Sequence, residues 1–179
     1  FFEAYSVEER LVNTNTIAVK KELFDAVGGF PEKKYSRGGD VATWIRLAYA
    51  SFSVMCSTIE TAIYHREDST VTKSIAPSIS DNAIYNVCAE ITASRNCEKA
   101  VRRSLYKLSN RHIRYGVTYQ AKLGQLRLSD LKYFRFSVSP IEYSLFLLLA
   151  LLPSKVAGCF AQFVLWLKRA FRVKMDFQK

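Results

Sequence analysis

The 179 residues are 49% apolar and 23% charged, a balance that suits a folded chain and argues against an intrinsically disordered one. The net charge of +10 is unevenly placed: residues 1–98 hold 10 Lys+Arg against 13 Asp+Glu, a net −3, and residues 99–179 hold 16 against 3, a net +13. So basic a half points to a polyanionic partner, nucleic acid or an anionic membrane surface. Four scattered cysteines, Cys56, Cys88, Cys97 and Cys159, include no C-x-x-C pair. They fit reduced structural thiols of a cytoplasmic chain better than a disulfide framework or a zinc site. No basic start followed by an apolar run and a small-residue cleavage site is seen, so no secretory signal is expected.

Residues 1–12 mix aromatic side chains with Glu3, Glu8, Glu9 and Arg10 and show no clear period. Asn13-Thr14-Asn15-Thr16 is turn-like, and Ile17-Ala18-Val19 is a short strand candidate. Lys20 to Val27 reads as a helix with Leu23, Phe24 and Val27 on one face, stopped by Gly28-Gly29. Phe30 is extended, because proline disfavours helix at the residue before it. From Asp40 the pattern turns helical again, and Val41, Trp44, Ile45, Leu47 and Ala48 share a broad face. Asp40 sits at the cap or in the first turn, a position Asp favours for reasons of local structure alone.

Phe52 to Tyr64 is rich in β-favouring residues and reads as one or two strands, ending in the polar segment His65 to Thr72. After Pro77, apolar residues follow helical spacing across 81–108, with Asp81 as a plausible cap. A second helix is expected from about Arg111 to Leu126, and Ser129-Asp130 caps a third short one before Pro140. Arg102, Arg103, Lys107, Arg111, Arg114, Lys122 and Arg127 lie along this region. Ile141 to Leu152 and Val156 to Leu167 are strongly apolar, separated by Pro153-Ser154-Lys155 and followed by Lys168, Arg169, Arg172 and Lys174. Each apolar half is shorter than the roughly 20 residues a membrane span takes. Read straight through, they would place Lys155 near mid-membrane, where a cation is costly. A helix-break-helix lying in the membrane interface, its basic end at anionic headgroups, is therefore preferred. A spanning helix and ordinary core helices are the alternatives.

Several of these pieces together carry a family resemblance. Asn15-Thr16-Ile17-Ala18-Val19, then Leu23-Phe24-Asp25-Ala26-Val27-Gly28-Gly29-Phe30, then Gly39-Asp40 and Trp44-Ile45-Arg46-Leu47, then Tyr64-His65-Arg66 to Thr72, stand in the order and spacing of a family 2 glycosyltransferase. Residues 13–72 resemble the C-terminal half of its GT-A type catalytic domain. The resemblance implies an α/β fold: residues 1–76 as the C-terminal, acceptor-side part of a Rossmann-like GT-A domain, 77–139 as a helical extension, and 140–179 as membrane-associating helices. The nucleotide-binding half of the family precedes this region, and no D-x-D triplet occurs in these 179 residues. A piece of a longer protein, inactive alone, is therefore expected. The family's Glu before the Asp is Gly39 here.

What the resemblance implies is an inverting transfer of a sugar from a nucleotide-sugar donor to a glycan or lipid-linked hydroxyl acceptor, in cell-surface polysaccharide or glycolipid synthesis. Such a transfer needs a base to take the acceptor's proton, and a carboxylate held at a helix start can supply it. By analogy that base is Asp40. Gly39, Trp44 and Arg46 line the acceptor side, although Trp44 serves equally well as packing. His65 and Arg66 contact the diphosphate, and His65 a divalent Mg or Mn ion held mainly by the preceding half. The expected location is the inner face of the cell membrane. No nucleic-acid motif is present, so nucleic acid is not an expected partner. The alternative is a non-catalytic, basic membrane-binding or scaffolding module.

Overall fold

Where apolar residues recur every three or four positions the chain is helical, and glycines, Asn82 and Pro140 set the ends. The structure, a computed structural model, describes residues 1–7, 12, 14–32, 34–51, 54–55 and 78–163. The helices are α1 (Phe2–Val7), α2 (Lys21–Ala26), α3 (Gly39–Ala50), α4 (Ala83–Ala93), α5 (Lys99–Lys122), α6 (Pro140–Leu151) and α7 over 154–163. Among the described residues three 3-10 turns, Thr14–Thr16, Leu128–Tyr133 and Phe136–Val138, lie between them.

The expected α/β fold is overturned: among the described residues there are helices and turns and no strand. Ile17-Ala18-Val19 is irregular, and Ala18 and Val19 are exposed. Ile17 and Val19 favour β structure, but among the described residues no strand lies beside them to supply ladder hydrogen bonds or cross-strand packing, so their propensity decides nothing there. The strands expected over 52–64, the segment His65 to Thr72, Cys56, Pro77 and the basic end at 168–174 lie outside the described residues, save for irregular Val54 and Met55.

α5 is the element around which the rest packs. Its 24 residues make a rod about 36 Å long. Leu105, Ser109, Ile113, Val117 and Ala121 recur every fourth residue and are all buried. Leu105 and Leu108, in its N-terminal half, join Phe2 and Tyr5 of α1, Ala42 and Ile45 of α3, and Ile84, Val87, Cys88 and Ile91 of α4 in one apolar core. Ile113, Val117 and Ala121 join Ile79, Leu131, Phe134, Phe146, Leu149, Ala157 and Ala161 in a second. Helical spacing does not run unbroken across 81–108. α4 ends at Ala93, and Arg102 Nη2 donates to the carbonyls of Ser94 and Cys97, 3.2 Å away in each case, fixing the bend before α5. Nor does a helix end near Leu108. The polar pair Ser109-Asn110 is buried inside α5, and Asn110 is satisfied by Arg135: its Oδ1 accepts from Arg135 N at 2.7 Å and its Nδ2 donates to Arg135 O at 2.8 Å.

The end of α5 meets the α6–α7 turn through glycine. Gly124 has φ +64°, and a Cβ there would collide with the Ser154 carbonyl. α6 and α7 are separated by Leu152-Pro153, and no helix among the described residues is long and apolar enough to cross a membrane.

Candidate functional site

The start of α3 is built by three neighbouring contacts. Gly38, at φ +77°, turns the chain into the helix and is its N-cap, so α3 begins at Gly39 and Asp40 lies in its first turn. The capping task therefore does not fall to the Asp40 side chain. Gly39 lies against Pro31, whose Cγ would stand 3.2 Å from a Cβ at that position. Thr43, fully buried, places its hydroxyl 3.1 Å from both the Gly29 and Gly39 carbonyls, and so ties the glycine turn after α2 to the first turn of α3. An aromatic chain completes the clamp: Phe24 meets Phe30 edge-on at 5.0 Å, and Phe30 meets Trp44 at 5.4 Å. Edge-on pairs of this kind contribute about 0.5–1.5 kcal/mol each beyond area burial.

Against this clamp the Asp40 carboxylate is oriented from outside the helix. Thr14 Oγ1 donates to Asp40 Oδ2 at 2.6 Å, and Trp44 Nε1 donates to Thr14 Oγ1 at 3.2 Å. Asp40 and Trp44 are one turn apart and share a face, which lets one threonine hydroxyl serve both. The indole N–H occupies an acceptor site on the hydroxyl, and the hydroxyl proton is thereby directed at the carboxylate. Among the described residues Asp40 Oδ1 accepts no hydrogen bond, and Asp40 is half-buried. One oxygen is thus held while the other has no hydrogen bond among the described residues, at a helix N-terminus whose first N–H groups and dipole favour negative charge.

The expected site residues divide. Gly39, Asp40 and Trp44 come together, and Trp44, only 8% exposed, both packs on Phe30 and donates to Thr14. Arg46 lies two residues beyond Trp44, about 200° around the helix. It faces α4, where its Nη2 donates to Glu90 Oε2 at 3.1 Å, an exposed ion pair worth under about 1 kcal/mol. His65 and Arg66 lie outside the described residues. Thr14 and Thr43 were not singled out by the sequence. Thr43 stands four residues after Gly39, a spacing that permits a hydroxyl-to-carbonyl bond within the helix. Thr14 carries no such local sign, because its partner is 26 residues away.

For a divalent metal the described residues offer no fitting donor set. Beside Asp40 stands one hydroxyl, and among the described residues no group of three or more His, Cys, Asp and Glu side chains converges. Mg or Mn takes about six oxygen-type ligands, more than this corner supplies. Compared with family models, with curated proteins and with solved structures, the chain finds no match in any of the three.

Proposed function

We propose that this chain carries the acceptor-side base of an enzyme that transfers a sugar, with inversion, from a nucleotide-sugar donor to a hydroxyl of a glycan or lipid-linked acceptor. The observation that supports it most is the Trp44–Thr14–Asp40 chain of hydrogen bonds, which holds one carboxylate oxygen and leaves the other without a hydrogen bond among the described residues. In this role Oδ1 accepts the proton of the acceptor hydroxyl as its oxygen attacks the anomeric carbon and the bond from that carbon to the donor's diphosphate breaks on the opposite face, releasing the nucleotide diphosphate, while Thr14 keeps the carboxylate plane fixed. The reading needs a rigid helix start and its clamp, and it does not draw on an α/β framework. Its location, at the inner face of the cell membrane, is part of the same proposal.

The test is transfer to hydroxyl acceptors from a panel of nucleotide sugars by the polypeptide that bears this chain. Asp40→Asn keeps one oxygen that can accept from Thr14 and removes the base, and should lower turnover by about 10²–10⁴-fold with donor binding nearly unchanged. Turnover within twofold of the parent would refute Asp40 as base. The second reading, a non-catalytic membrane-binding or scaffolding module, is favoured by the apolar outer surface of α6. It is the one left standing if no donor supports transfer.

A further inference from the structure

Much of the apolar surface of α6 is turned away from the protein. Phe146 and Leu149 are buried, with Glu142, Tyr143, Leu145 and Ala150 half-buried on the same arc. The opposite arc carries Ile141, Ser144, Leu147, Leu148 and Leu151, all exposed, with Ile141 at 85% and Leu151 at 63%. A surface helix of a water-soluble fold is polar on its outer arc, and α6 has Ser144 alone there. α7 repeats the pattern. Ala157, Gly158 and Ala161 face inward, while Val156, Cys159, Phe160 and Phe163 form an exposed stripe at i, i+3, i+4 and i+7. With Lys155 these four line an open hollow of about 490 Å³.

Charge says what covers this surface. From 143 to 163 there is no acidic residue. The one carboxylate of α6, Glu142, is taken by Arg114 of α5 at 2.9 Å. Exposed Lys155 stands at the start of α7, and the sequence that follows adds Lys168, Arg169, Arg172 and Lys174. A second copy of this chain placed here by two-fold symmetry would set Lys155 and its counterpart on one apolar patch with no carboxylate in the stretch to offset them. An anionic lipid surface supplies both needs, acyl chains for the apolar stripes and headgroup phosphates for the cations.

We infer that the outward arcs of α6 and α7 form a docking surface for an anionic bilayer, into whose headgroup–acyl boundary Ile141, Leu148, Leu151, Val156, Phe160 and Phe163 insert. This deepens the membrane location proposed above and rests on it, not on the chemistry at Asp40. Among the described residues no helix is long and apolar enough to cross a membrane, and on this inference the contact is peripheral and reversible.

Flotation of the full chain with vesicles tests it. The chain should float with phosphatidylcholine vesicles containing phosphatidylglycerol and much less with phosphatidylcholine alone. Replacing the exposed side chains in L148S/L151S/F160S/F163S should lower partitioning about tenfold or more, since each removes apolar area from the boundary. Helix content measured by circular dichroism should stay at the parent's level. A second readout keeps the six inserting side chains in place. In a C56S chain, Cys159 is labelled with a polarity-sensitive dye, Cys88 and Cys97 being buried. Its emission should shift to the blue when phosphatidylglycerol vesicles are added. Equal flotation of parent and variant, or a dye whose emission does not move, would overturn the docking surface while leaving a membrane location in place. No flotation of the parent would overturn both. A dimer in solution that these substitutions dissolve would assign the surface to a second copy instead.

Discussion

Asn110 offers the sharpest test of how the two cores are joined. It is 1% exposed, lies mid-way along α5, and pairs with both backbone groups of Arg135 across 25 residues, in the manner of a strand neighbour. Asn110→Ala removes two hydrogen bonds worth about 1 kcal/mol each and leaves a small void. Arg135 is exposed, so its freed N–H and C=O can rehydrate, which holds the loss to about 2–3 kcal/mol. In urea unfolding, with a slope of about 2–3 kcal/mol per molar, the midpoint should fall by roughly 1 M. N110D sharpens the argument through its sign. At pH 7 its carboxylate still accepts from Arg135 N but faces the Arg135 carbonyl with a second acceptor, and it should be the less stable of the two variants. At pH 4 the protonated carboxyl can donate to that carbonyl, and the deficit relative to the parent should shrink. A loss under about 0.5 kcal/mol for Asn110→Ala, or a deficit of N110D indifferent to pH, would refute the reasoning.

Gly124→Ala forces a Cβ onto the Ser154 carbonyl at a left-handed φ, so it should destabilise by more than about 2 kcal/mol in the same urea assay, the turn between α6 and α7 having to move. Burial pushes the Cys88 thiol up from 9.0 to about 12. Its contribution is therefore fully present below pH 9 and is lost as pH rises toward 12, because the unfolded chain releases that proton first. Relative to a Cys88→Ala variant, the parent should lose up to about 1.4 kcal/mol per pH unit across pH 9–11, measured as unfolding midpoints; a constant difference would contradict it.

The sequence was most legible where one residue type decides the backbone. The stop after α2 is made by Gly28 and Gly29, both at positive φ, and α6 gives way to α7 at Leu152-Pro153. Capping was less legible, because neighbouring polar residues compete and distant partners choose between them. Asp81 accepts from Ser36 at 3.1 Å, leaving Asn82 to cap α4 through Tyr85 N at 2.9 Å. Likewise Asp40 is engaged by Thr14 and Gly38 takes the cap of α3. In each case the deciding group lies tens of residues away, beyond the reach of a local pattern. Ile17-Ala18-Val19 shows the same dependence in reverse: Ile17 and Val19 favour a strand, and among the described residues no strand stands beside them. Gly29, Phe30 and Trp44, with Thr43, do converge in one clamp on the α3 start.

The packing of α1 on α5 also sets an order of events during synthesis. Arg111 Nη1 reaches the Ser6 carbonyl across 105 residues, and Phe2 and Tyr5 share a core with Leu105 and Leu108. A ribosome adding about 5–20 residues per second needs roughly 5–20 s to make the intervening chain. For that interval the aromatic cluster of Phe1, Phe2 and Tyr5 has no α5 to rest on. Of the two packed partners α1 is therefore made first, and its aromatic side chains wait uncovered until α5 has been synthesised.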